Sequence, residues 1–291
     1  MFSGSYVALI TPFNDGGIDE DGFQRFCNWQ IEQGTDGLVP VGTTGESPTL
    51  SHDEHKRIVS LCVEVSAGRV PVIAGAGSNS TETAIEFAKH AADAGADGTL
   101  VVTPYYNKPS QEGLFRHFKA VAEAADLPLI IYNIPGRSVI DMSVETMARL
   151  AVISNVVGVK DATADLARPL ATRLAVGPEF CQLSGEDATV TAFLAQGGQG
   201  CISVTANVAP KLCSDLHKAW RTGDLDSMSD IRDMLMPLHA AMFVESSPGP
   251  AKYAASLLGH CAPTVRAPII EISDESKAIV RAAMEHAGIF V

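Results

Sequence analysis

Long hydrophobic runs are missing from this sequence: nowhere do 18 apolar residues follow one another, and no basic region precedes the apolar stretch from Tyr6 to Ile10. The expectation is a soluble, cytoplasmic protein with no membrane partner. Basic residues are also scarce. There are 21 Lys and Arg against 34 Asp and Glu, and the formal charge of −13 repels nucleic acid and anionic lipid. A small anionic substrate is still allowed, because one well-placed arginine can dominate the potential inside a cleft. The six cysteines, Cys27, Cys62, Cys181, Cys201, Cys213 and Cys261, contain no C-x-x-C pair and sit mostly in apolar segments, so they read as reduced core residues.

Several signatures of bound groups are absent too. Neither G-x-x-x-x-G-K-[ST] nor G-x-S-x-G occurs, and Gly75-Ala-Gly77 continues to Ser80 where a dinucleotide fingerprint needs a third glycine. His52-x-x-His55 has helical spacing but lacks the glutamate pattern of a zincin and opens a capped helix. No cofactor and no metal is implied.

What is present is a large apolar share, 46% of 291 residues, enough to bury a sizeable core. One phrase recurs: a short β-branched apolar run, a turn, then an amphipathic stretch. The runs begin near Tyr6, Gly37, Val70, Gly98, Leu127, Val156, Phe180 and Gly200. Between them, Ser51-His-Asp-Glu54 is a capping box and Ser143 opens another helix, while Phe23, Phe26, Cys27 and Ile31 recur at helical spacing. Near-continuous apolar strands mean a parallel sheet covered on both faces. Eight strand–helix units suit an α/β fold of the (β/α)8 TIM-barrel class. The barrel is expected over residues 1–223 and a C-terminal helical extension over residues 224–291, with no linker between them.

In such a barrel the chemistry lies at the C-terminal ends of the strands. Those ends carry Gly42-Thr43-Thr44-Gly45-Glu46, Tyr105-Tyr106-Asn107, Tyr132-Asn133-Ile134-Pro135-Gly136-Arg137, Lys160-Asp161, Ser184-Gly185 and Ile202-Ser203. Lys160 closes the run Val156-Val-Gly-Val159 and should project from a buried strand. Burial without a partner favours a neutral amine, a nucleophile towards ketones, whereas a strand-end pair with Asp161 would leave Lys160 inert. Tyr132 and Tyr106 can relay protons beside such an amine, and Arg137 offers a planar fork to a carboxylate.

Taken together, GTTGES at 42–47, VTPYYNKPSQEGL at 102–114, YNIPGRS at 132–138, GVKDAT at 158–163 and ISVTANVAP at 202–210 resemble the dihydrodipicolinate synthase (4-hydroxy-tetrahydrodipicolinate synthase) family, in register from Tyr6 onward. The resemblance implies a Schiff-base lyase that condenses pyruvate with L-aspartate 4-semialdehyde in lysine biosynthesis, built as a homotetramer of two tight dimers. It assigns the imine to Lys160 and the proton relay to Tyr132, Thr43 and Tyr106, with Tyr106 reaching into a neighbouring subunit. Thr44, Gly185 and Ile202 would hold pyruvate, and Arg137 the carboxylate of the aldehyde. It also implies a lysine-binding cleft formed by Pro48, His52, His55, Asn79, Thr83 and Tyr105, where position 83 carries threonine in place of the expected acid, so lysine inhibition should be weak or absent. The alternatives are N-acetylneuraminate lyase, a 2-keto-3-deoxy sugar acid aldolase, or a barrel that has lost its chemistry. Thr44 and Arg137 suit a short acidic aldehyde better than a polyhydroxylated one.

Overall fold

The computed structural model describes residues 2–290. Each of the eight apolar runs is a strand: β1 (Gly4–Ala8), β2 (Gly37–Val39), β3 (Ile73–Gly75), β4 (Gly98–Val102), β5 (Leu129–Asn133), β6 (Val156–Asp161), β7 (Cys181–Ser184) and β8 (Gly200–Ser203). They belong to one eight-stranded sheet in the order β2-β1-β8-β7-β6-β5-β4-β3. Registered pairs are parallel, as for Tyr132 with Lys160 across β5 and β6. With helices between the strands, this is the expected (β/α)8 arrangement.

The helices are α1 (Glu20–Glu32), α2 (His52–Ser66), α3 (Thr81–Ala94), α4 (Gln111–Ala124), α5 (Pro135–Ser138), α6 (Val144–Leu150), α7 (Arg168–Val176), α8 (Val190–Ala195), α9 (Pro210–Thr222), α10 (Leu225–Ala241), α11 (Gly249–Leu257) and α12 (Asp274–His286). Their starts follow from local chemistry. Ser51 and Glu54 form the reciprocal capping box, and Ser80, Ser110 and Ser143 each accept a backbone N–H from the first turn of the helix they precede. Helices α10 to α12 form the expected helical C-terminal region. No described helix is long and apolar enough to cross a membrane.

The chain divides into two compact units, one formed mainly by Pro71–Ile202 and the other by Gly4–Val70 with the chain from Ser203 onward. In the first, Val101, Ile131 and Val159 from β4, β5 and β6 are buried with Leu114 and Phe118 of α4 and Met147 and Leu150 of α6. Side chains alternate across a strand, so Val102, Tyr132 and Lys160 face away from this helix layer. In the second unit, Asn207 ties its chain segments together: its Oδ1 accepts the Ile10 N–H at 3.0 Å, and its Nδ2 donates to the Ala8 carbonyl at 2.8 Å.

Candidate active site

Lys160 is 5% exposed, and its Nζ lies 4.2 Å from the centroid of the Tyr132 ring. The two residues are register partners near the ends of β5 and β6. A paired Lys160 and Asp161 is not what forms. Asp161, next along the strand, points to the opposite face, and its Oδ1 accepts from the Thr163 N–H at 2.9 Å and the Thr163 hydroxyl at 2.7 Å. Burial raises the Asp161 carboxyl, and the two Thr163 bonds oppose that shift. Lys160 makes no ion pair or hydrogen bond with any described residue. Its amine is therefore set on an aromatic face in a buried strand, without the carboxylate that would hold it inert.

Beside β6, β7 ends at Ser184, and Gly185 and Glu186 follow it. The Gly185 N–H donates to the Asp161 carbonyl at 2.6 Å, and a Cβ on Gly185 would meet that of Ala162 at 2.6 Å, so only glycine allows the two strand ends this approach. Ile202 is buried on β8. Glu186 escaped the sequence reading. Its carboxyl is raised by burial and by Asp187, and Lys160 is near enough to pull it the other way. Its position directly after Gly185 was the available signal.

Arg137 is exposed on the short helix α5, and no described residue pairs with it. The loop that carries it is firmly held. Asn133 Nδ2 donates to Asp141 Oδ1 at 2.6 Å, Asp141 is ion-paired to Arg168, and the Arg168 guanidinium donates to the Met142 carbonyl at 2.9 Å. The Ser138 hydroxyl adds a bond to the Ile134 carbonyl at 2.9 Å. A fixed loop thus presents a free guanidinium fork, the state that recognises a carboxylate.

Tyr106 is 88% exposed and has φ +71°, a backbone region that costs an L-residue roughly 1 kcal/mol or more. The Asn107 N–H closes the turn around it onto the Tyr105 carbonyl at 2.9 Å, and Asn107 Nδ2 donates to the Asn79 carbonyl at 2.8 Å. The phenol is therefore directed out of its own chain. Thr43 and Thr44 lie in a tight turn in which the Glu46 N–H reaches the Thr43 carbonyl at 3.1 Å, and the Thr11 hydroxyl donates to the Gly45 carbonyl at 2.7 Å. His52 and His55 lie on the first turn of α2, His52 exposed and His55 buried. Thr83 lies in the first turn of α3, capped by Ser80.

The Dihydrodipicolinate synthetase family model matches residues 1–287. The chain is 67% identical over 289 residues to a 4-hydroxy-tetrahydrodipicolinate synthase of Rhodospirillum centenum, covering 99% of both chains. It is 65% identical over 290 residues to the enzyme of the same name from Acidiphilium cryptum, again covering 99% of both. Among solved structures, the chloride-inhibited dihydrodipicolinate synthase of Acinetobacter baumannii complexed with pyruvate superposes with a TM-score of 0.97 at 44% identity, over 100% of both chains. With its strand-end lysine, its eight-stranded parallel sheet and likeness along its whole length, the chain belongs to the dihydrodipicolinate synthetase family.

Proposed function

We propose that the protein is a Schiff-base lyase that condenses pyruvate with L-aspartate 4-semialdehyde to give 4-hydroxy-tetrahydrodipicolinate, a step of lysine biosynthesis through diaminopimelate. The observation that carries this reading is Lys160, buried, without an ion pair to Asp161 and with its amine over the Tyr132 ring. The Lys160 amine adds to the ketone carbon of pyruvate, and loss of water gives an iminium. The iminium withdraws electrons from the pyruvate methyl group, so a methyl proton leaves and an enamine forms. The enamine carbon attacks the aldehyde. The amino group of the aldehyde substrate then adds to the former ketone carbon, closing the ring and releasing Lys160.

Protons must move at each stage, and Tyr132, Thr43 and Tyr106 are assigned this relay because hydroxyl groups pass protons without ionising fully. Thr44, Gly185 and Ile202 are assigned to pyruvate and Arg137 to the carboxylate of the aldehyde. Tyr106 pointing out of its chain supports a site shared between subunits of a tight dimer. Two leucines on one exposed stripe of α7, Leu170 and Leu174 (44% and 80% exposed), support a further contact that would make a tetramer. A cytoplasmic location fits such an enzyme. We keep 1–223 as the catalytic barrel and 224–291 as its extension, and His52, His55, Asn79 and Tyr105 as a lysine cleft of low affinity.

Supplying pyruvate with either aspartate semialdehyde or N-acetylmannosamine tests the reading. Consumption of the semialdehyde alone is expected. Condensation of the amino sugar instead would overturn it.

A further inference from the structure

Glu46 ends the turn that carries Thr43 and Thr44, and it does so in the left-handed region, at φ +58°. Its carboxylate is buried and held at both oxygens. Lys252, from α11, donates to Oε1 at 2.7 Å and also to the Thr264 carbonyl at 2.6 Å. The Arg266 N–H donates to Oε2 at 2.8 Å. Neither member of the ion pair is reached by solvent, with side-chain exposures of 0% for Lys252 and 1% for Glu46. The Phe13 ring lies 3.9 Å from the Lys252 ammonium and 4.3 Å from the Arg266 guanidinium. Arg266 then forks onto Glu54 at 2.7 and 2.6 Å and reaches the Thr49 carbonyl at 3.0 Å, which fixes the start of α2 just beyond the turn.

A buried ion pair is a poor device for stability alone, because desolvation consumes most of the attraction and apolar residues of the same volume often serve as well. Burial does pull the Lys252 ammonium below its ordinary value, with Glu46 opposing that shift. What the pair supplies is direction. Two anchored oxygens hold Glu46 in a backbone conformation that it would otherwise avoid, and Glu46 in turn closes onto the Thr43 carbonyl.

We infer that Lys252 is a positioning residue: through Glu46 it sets the turn that presents the Thr43 and Thr44 hydroxyls to the reaction. The inference rests on the roles given above to those two threonines. It places a determinant of turnover in the C-terminal helices, 206 residues from Glu46 along the chain.

The test compares Lys252→Met with the double variant Glu46→Gln/Lys252→Met. The single variant strands a buried carboxylate, so it should lose both melting temperature and activity. The double variant buries no charge and should recover melting temperature. Its turn should still be loose: backbone amides 42–47 exchange faster than in the wild type, and kcat stays down by about tenfold or more, as for other displaced catalytic groups. Borohydride should still trap pyruvate on Lys160 in the double variant. Wild-type exchange at 42–47, or full recovery of kcat together with melting temperature, overturns the inference. A double variant that cannot fold also overturns it, by assigning the pair to stability. If the wild type makes no condensation product, the functional reading fails, and the exchange measurement still decides whether Lys252 sets the turn.

Discussion

Arg137 has an exposed guanidinium on a pinned loop, so its replacement removes the fork proposed for the aldehyde carboxylate without disturbing the barrel. Arg137→Ala should weaken the response to the aldehyde by about 1.5–3 kcal/mol while pyruvate imine formation is spared, a split that steady-state kinetics and borohydride trapping measure together. Equal loss in both would remove Arg137 from this role. Thr83 makes a second prediction. Without a carboxylate to pair with a bound ammonium, L-lysine should inhibit weakly or not at all at subsaturating pyruvate, and Thr83→Glu should gain sensitivity. Half-inhibition of the wild type at about tens of micromolar would contradict this. Lys160 was legible in the sequence because it closes a near-continuous apolar run, which marks a strand buried on both faces. The Glu46–Lys252 and Asp141–Arg168 pairs were not, since they join residues 206 and 27 apart through tertiary packing that no local periodicity records.

Among the elements, α3 and α4 are linked by a hydrogen bond between the Thr81 hydroxyl and His117 Nδ1 at 2.9 Å. His117 Nε2 is buried with no partner among the described residues, and burial lowers the imidazole from 6.5 to about 4. The unfolded chain therefore binds this proton first as pH falls. Stability should be full above pH 6.5 and should decline between 6.5 and 4, by on the order of 3 kcal/mol. Denaturant unfolding at several pH values should show the slope, and His117→Gln should flatten it over that window. An unchanged slope in the variant would place the dependence elsewhere. The elements themselves were readable: all eight strands of the large sheet fall on the apolar runs, and the serine caps lie where the sequence places Ser51 and Ser143. The left-handed turns at Glu46 and Tyr106 were not, because neither residue type favours that conformation and only tertiary contacts impose it.

For the molecule as a whole, the proposed function has the outward Tyr106 of one chain complete the site of another. Tyr106→Phe and Lys160→Ala should each be inactive alone, and mixed dimers should regain activity at the one site that holds both native residues. No recovery in dimers verified as mixed would mean that each chain supplies its own tyrosine. Sedimentation velocity on the wild type measures the assembly directly, with a tetramer expected. The proposed chemistry depends on the covalent role of Lys160, and one measurement addresses it: borohydride reduction in the presence of pyruvate, followed by peptide mass analysis. A single reduced pyruvate adduct is expected on the peptide containing Lys160, lost in Lys160→Ala together with turnover. An adduct on another lysine, or near-normal turnover in Lys160→Ala, would contradict it.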